Sequence, residues 1–233
     1  MGTGTLFGVG VGPGDPKLMT IRAGEVIRDA DVLAFPVNGS GESRARAIAA
    51  PIIEGHAQEL PVHLPMRVER EPARAAYDRA ATDIAAHLDA GRSVAWLCVG
   101  DPMLSGSSRS VAARLSERQP VEIVPGVTSL SACAAQAHIP LAGRNDILSV
   151  IPATAKKKAL RKALERADAA AIVKVGRHFG KVREVLRGLD LEGHATILES
   201  ATSANETLLR LPDVPDGEQS YFSTSLVRRG DIA

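Results

Sequence analysis

The stretch from Ala95 to Gly106, A-W-L-C-V-G-D-P-M-L-S-G, constrains the fold of this chain more than any other. An apolar run from Val94 to Val99 breaks off at Gly100-Asp101-Pro102, the pattern of a buried strand that releases its chain into a loop. In open α/β sheets ligands collect beyond the carboxyl ends of the strands. Here a flexible glycine, a carboxylate and a backbone-fixing proline arrive there together. A plain helix cap by Asp101 would account for the same residues, so the meaning of this turn depends on whether the chain repeats it.

It does. Thr5 to Val11 is a short apolar strand that runs into Gly12-Pro13-Gly14-Asp15-Pro16, and helical spacing follows over Thr20 to Arg28. Val121 to Val124 meets Pro125-Gly126-Val127-Thr128-Ser129, and Ala169 to Val175 meets Gly176-Arg177-His178. None of these turns has the G-x-G-x-x-G spacing of a dinucleotide fold, because Pro13 and Pro16 delay the first helix. No Lys-Ser or Lys-Thr pair follows the glycines, which removes the usual nucleoside triphosphate reading.

Between these turns, Val32 to Phe35 reads as a strand ending at Pro36, with a polar loop and a helix over Ala45 to Ala50 behind it. Arg44 and Arg46 stand at the mouth of that helix. Prolines exclude a helix between Leu60 and Arg70, whereas Ala73 to Ala90 and Ser108 to Glu117 read as helices. Ser129 to Ala137 is a helix of small residues. The rest reads as strand at Ile147–Ile151, helix at Lys156–Arg166, the strand Ala169–Val175, helix at Lys181–Leu189 and strand at Ala195–Glu199. Leu208–Leu211 and Tyr221–Val227 are expected as late antiparallel edge strands. A change of register near Gln119-Pro120 divides the chain into residues 1–119 and 120–233, each an α/β domain.

Composition narrows the function. With 28 basic and 27 acidic residues there is no global field for nucleic acid or an anionic membrane, and 3% aromatic content leaves no base-stacking surface. No signal peptide or membrane span is apparent, so the expected compartment is the cytoplasm. Cys98 and Cys133 suit reduced, apolar thiols better than a disulfide. His63 reads as structural and Lys156-Lys157-Lys158 as a solvated helix start. No His, Cys and Asp cluster has metal-ligand spacing, so no metal is expected.

The four strand ends G-V-G-V-G-P-G-D-P, L-C-V-G-D-P, V-P-G-V-T-S and I-V-K-V-G-R-H, taken together, resemble the tetrapyrrole methylases. Within that family I-P-L-A-G-R-N-D, V-I-P-A-T and E-S-A-T-S-A-N-E are similar to the C-20 methylases of cobalamin biosynthesis, and the resemblance covers essentially the whole chain. It implies the two-domain α/β fold of class III S-adenosylmethionine-dependent methyltransferases, with the cofactor in the cleft between the domains, and a homodimer. The family's cofactor contacts fall on Pro13, Val99, Gly100, Asp101, Leu104, Thr128, Ser129, Val175 and Ala201. Glycine and proline turns suit such a ligand because they present backbone donors and acceptors at short range.

The implied reaction is methyl transfer to C-20 of precorrin-2, with the cobalt-containing counterpart as nearest rival. A nucleotide-dependent oxidoreductase and a non-catalytic tetrapyrrole carrier are more distant readings. A macrocycle bearing carboxylates calls for basic rims, for which Arg44, Arg46, Arg67, Arg144 and Arg177 are the candidates. Asp101 and His178 are the candidates for catalytic proton transfer. The chain departs from the family where an acidic residue commonly precedes Gly-Asp-Pro, since Val99 stands there, and where aromatics commonly follow, since Met103-Leu104-Ser105 stand there.

Overall fold

A computed structural model describes residues 2–64, 70–104 and 108–230 and shows two compact units, Met1–Thr128 and Ser129–Ala233. In the first, β1 (Leu6–Gly10), β2 (Val32–Val37), β3 (Gln58–His63), β4 (Val94–Cys98) and β5 (Val121–Val124) form one parallel sheet in the order β3-β2-β4-β1-β5. The division falls after Thr128 and not at Gln119-Pro120, because β5 pairs with β1, Leu6 against Val121 through Val9 against Val124.

The side-chain alternation of β4 shows why its sequence is apolar throughout. Val94, Trp96 and Cys98 pack on α3 (Arg70–Asp89) and α4 (Ser108–Leu115) through Ile84, Leu88, Val111 and Leu115. Ala95 and Leu97 face the opposite way, toward Val26 and Ile27 of α1 (Ile21–Asp29) and Ile48 of α2 (Arg44–Ala49). A strand covered by helices on both faces has no polar side to alternate. β2 continues through Pro36, where the sequence suggested a stop. Past Ala34 the strand is paired with β3 but no longer with β4, and a residue lacking an N–H is tolerated on a one-sided stretch.

The second unit has a mixed sheet, β6 (Leu148–Pro152), β7 (Ala169–Val173), β8 (Ala195–Glu199), β9 (Thr207–Arg210) and β10 (Ser223–Arg228), in the order β6-β7-β10-β8-β9. α6 (Lys157–Glu165) and α7 (Phe179–Arg187) cover one face through Leu160, Leu164, Val182 and Leu186. α5 (Ser129–Ala137) covers the other through Leu130 and Cys133. β9 is an edge, as expected, but β10 lies inside the sheet, antiparallel to both β7 and β8. Its polar start, Ser223-Thr224-Ser225, is fully enclosed, which disguises an interior strand as an edge.

Both cysteines are free thiols buried in the core. Burial pushes the Cys133 thiol pKa up to about 11, so it stays protonated and acts as a small apolar residue.

Candidate functional site

In the first unit the strand order places the ends of β4, β1 and β5 side by side, and their turns close on one another through glycine. Gly12 and Gly100 form an isolated bridge, in which the Gly100 N–H donates to the Gly12 carbonyl at 2.7 Å. Both have positive φ, 80° and 72°, a conformation that glycine adopts without strain. A Cβ on Gly10 would stand 2.6 Å from the Gly100 carbonyl oxygen, and one on Gly126 only 2.2 Å from it. The three turns therefore touch backbone to backbone, and any side chain there would drive them apart.

Asp101 locks this arrangement. Its Oδ1 accepts the N–H groups of Met103 at 2.8 Å and Leu104 at 3.1 Å, and its Oδ2 accepts the Gly126 N–H at 3.0 Å. The helix-cap reading thus holds for one oxygen, while the other reaches across to the β5 turn. Thr20, the N-cap of α1, receives the Ala23 N–H at 3.2 Å and donates its hydroxyl to the Pro125 carbonyl at 3.4 Å. Val99 is partly buried against the core shared with α1 and α2, and Pro13 is buried. Leu104 is exposed.

The arginine candidates separate. Arg44 Nη2 donates to the Pro13 carbonyl at 3.5 Å, and burial lowers its guanidinium pKa from the ordinary arginine value. Arg46 is occupied by Glu59 at 2.8 Å, a contact thirteen residues away that fixes α2 to β3. Arg144 and Arg177 are exposed, and Arg67 lies outside the described residues, as does Ser105.

In the second unit, β7 leaves the sheet through Lys174 at φ 60° and the buried Val175, whose N–H donates to the Ser223 carbonyl at 3.3 Å. Gly176 to His178 forms a single 3-10 turn that leads into α7. The His178 pKa is held below its ordinary value, by burial first and then by Lys181 and Arg177, so its imidazole is neutral near pH 7. Ala201 is buried in a turn between Ser200 and Thr202, which have positive φ of 49° and 64°. Glu199, at the end of β8, accepts the Ser220 N–H at 2.9 Å and the Ser223 hydroxyl at 3.0 Å, tying that turn to the start of β10.

Residues 5–213 match the family model described as Tetrapyrrole (Corrin/Porphyrin) Methylases. The chain belongs to that family. As a tetrapyrrole methylase it is an S-adenosylmethionine-dependent methyltransferase. It is 38% identical to a precorrin-2 C(20)-methyltransferase of Sinorhizobium sp, over 97% of this chain and 96% of that protein. It is 32% identical to a cobalt-precorrin-2 C(20)-methyltransferase of Salmonella typhimurium, over 97% of each chain. The fold matches a uroporphyrin-III C-methyl transferase of Thermus thermophilus complexed with S-adenosylhomocysteine, at TM-score 0.71 and 23% identity, over 97% of this chain and 92% of that one.

The glycine turns also involve residues that the sequence did not assign to the candidate site. Gly126 and Thr20 join the first-unit cluster only through contacts spanning 25 and 105 residues. Among the described residues no group of three or more His, Cys, Asp or Glu is placed to hold a metal ion, and no helix is long and apolar enough to cross a membrane.

Proposed function

We propose that this methylase transfers a methyl group from S-adenosylmethionine to C-20 of precorrin-2, giving precorrin-3A in cobalamin biosynthesis. The observation that carries this reading is the near-full-length likeness to the Sinorhizobium enzyme. The Salmonella relative, at lower identity, supports the cobalt-containing acceptor as the alternative. The residues fit the cofactor: turns packed backbone to backbone at glycine leave a compact surface of amide and carbonyl groups, suited to a nucleoside joined to an amino acid. The candidate contacts are Pro13, Val99, Gly100, Asp101, Leu104 and Thr128 in the first unit; in the second unit they are Ser129, Val175 and Ala201.

When bound, the cofactor would supply an electrophilic methyl for the electron pair of C-20, with the sulfur as leaving group and the C-20 proton passing to a base. The protein's tasks are alignment and exclusion of water. Both Asp101 oxygens already accept backbone N–H groups, so we assign Asp101 to loop geometry. That leaves the neutral imidazole of His178 to take the proton. Arg44, Arg67, Arg144 and Arg177 would meet the acceptor's carboxylates. Arg46 is set aside because Glu59 already pairs with it.

A cytoplasmic location and a homodimer complete the reading, the dimer supported by exposed Leu208, Leu209, Tyr221 and Phe222 on the second unit. Offering metal-free and cobalt-loaded precorrin-2 separately, with product analysis at C-20, tests the assignment. Faster turnover of the metal-free acceptor is expected, and methylation of the cobalt form alone would select the alternative.

A further inference from the structure

Ile21 is the most exposed large apolar side chain among the described residues at 83%, and Met103 follows at 64%. Scattered apolar residues on a surface need no explanation. These two differ because both stand beside residues that bond to the same dipeptide. Ile21 follows Thr20, whose hydroxyl donates to the Pro125 carbonyl. Met103 gives its N–H to Asp101, whose other oxygen accepts the Gly126 N–H. Pro125-Gly126 thus ties Thr20 and Asp101, the residues that carry Ile21 and Met103 beside them, to the carboxyl edge of the sheet.

Neither side chain is part of the buried core. Isoleucine at the first position of a helix gains nothing from the capping contacts there, and its β-branch is mildly unfavourable in a helix. Met103 lies in a turn whose geometry comes from its backbone N–H, not its side chain. At the same edge the half-buried Arg44 reaches the Pro13 carbonyl, so a cation with reduced access to water stands beside the first glycine turn. An apolar floor next to a partly desolvated cation fits a ligand that is flat and apolar across its body and carries carboxylates on its rim.

We propose that Ile21 and Met103 form an apolar floor for the ring face of the tetrapyrrole acceptor, with Arg44 receiving one of its carboxylates. This rests on the methyltransferase reading above and adds to it the residues that recognise the acceptor. These side chains contribute to acceptor affinity and not to cofactor affinity, because the cofactor turns are built from backbone.

The test uses the full chain carrying Ile21→Gln and Met103→Gln together. Both positions are exposed, so the thermal midpoint is expected to stay at the wild-type value, and Ile21→Leu serves as the conservative control. The probe is uroporphyrin, a stable polycarboxylate tetrapyrrole, titrated by fluorescence, with S-adenosylhomocysteine titrated by calorimetry on the same samples. The expected result is about 10- to 100-fold weaker porphyrin binding for the double variant, unchanged affinity for S-adenosylhomocysteine, and near-wild-type porphyrin binding for Ile21→Leu.

Equal porphyrin binding by wild type and double variant would overturn the proposal. So would a parallel loss of cofactor affinity, or a wild type that binds no porphyrin. A change in oligomeric state in the double variant, read by light scattering, would assign the two side chains to a protein interface and also overturn it. Which carbon is methylated is read separately by product analysis, so a wrong C-20 assignment stays distinguishable from a wrong floor.

Discussion

Asp101 accepts the Gly126 N–H at 3.0 Å across 25 residues of sequence, and this contact joins the turn after β4 to the turn after β5. The same carboxylate holds Met103 and Leu104 from its other oxygen. The geometry of these glycine turns therefore depends on one side chain whose oxygens serve two loops.

Replacing Asp101 by Asn keeps an acceptor for Met103 and Leu104 but turns an N–H toward the Gly126 N–H. A hydrogen bond to a charged group contributes about 1.5 to 3 kcal/mol, so affinity for S-adenosylhomocysteine is expected to fall about 10- to 100-fold. Asp15 accepts the Lys17 N–H two residues away at 2.9 Å, and Asp15→Ala is expected to change affinity far less. Calorimetry on both variants checks the contrast, and equal small losses would reduce Asp101 to a helix cap.

Gly126→Ala places a methyl 2.2 Å from a backbone carbonyl that has nowhere to retreat. Overpacking of this kind costs about 1 to 3 kcal/mol or more, so the variant should unfold several degrees below wild type and lose cofactor binding. Gly39→Ala is the control, since a Cβ there meets nothing within 4 Å. A Gly126→Ala protein with wild-type midpoint and affinity would contradict the tight backbone contact.

His178 gives a signed pH dependence. Its pKa lies below the ordinary histidine value because of burial, then Lys181, then Arg177. As the proposed base, His178 must be neutral, so single-turnover methyl transfer should persist as pH falls through the ordinary histidine range of about 6.5 and be lost only further down. Arg177→Gln removes a repelling charge and should move that falling limb to higher pH. His178→Ala should slow proton removal about 100- to 10,000-fold. A limb that ignores Arg177 and survives in His178→Ala would place the base elsewhere.

Arg183 is the largest structural element that the sequence concealed. Its side chain is 7% exposed and bonds Glu192 at 2.7 Å, the Val214 carbonyl at 2.7 Å, Asp216 at 2.9 Å and the Pro212 carbonyl at 3.0 Å. Removing it takes the donor from the Val214 and Pro212 carbonyls, and a buried polar group left unsatisfied costs about 1 to 3 kcal/mol. Arg183→Ala should therefore lower the thermal midpoint strongly, whereas Arg187→Ala, at an exposed arginine on the same glutamate, should not. Similar midpoints for the two variants would contradict the burial.

The parts of the fold legible in the sequence were those where chain neighbours decide the structure. β5, α5 and β8 fall at their expected residues because apolar or small-residue runs there are bounded by turn formers. β10 was misplaced because Ser223, Thr224 and Ser225 look solvent-facing, and only the two strands flanking them account for their burial. The domain division was set too early because the pairing of β5 with β1 is long-range. At the site, the glycine turns were visible, but the roles of Gly126, Thr20 and Glu59 depend on partners that no local pattern indicates.

The reaction proposed for this protein is methyl transfer from S-adenosylmethionine to C-20 of a reduced tetrapyrrole. Its most direct test is a single turnover of the full chain with carbon-13 methyl-labelled S-adenosylmethionine and precorrin-2, followed by carbon NMR of the product. One labelled methyl is expected, on C-20, with S-adenosylhomocysteine formed in equal amount. Label on any other carbon, or bound cofactor with no transfer to either the metal-free or the cobalt-loaded acceptor, would contradict it.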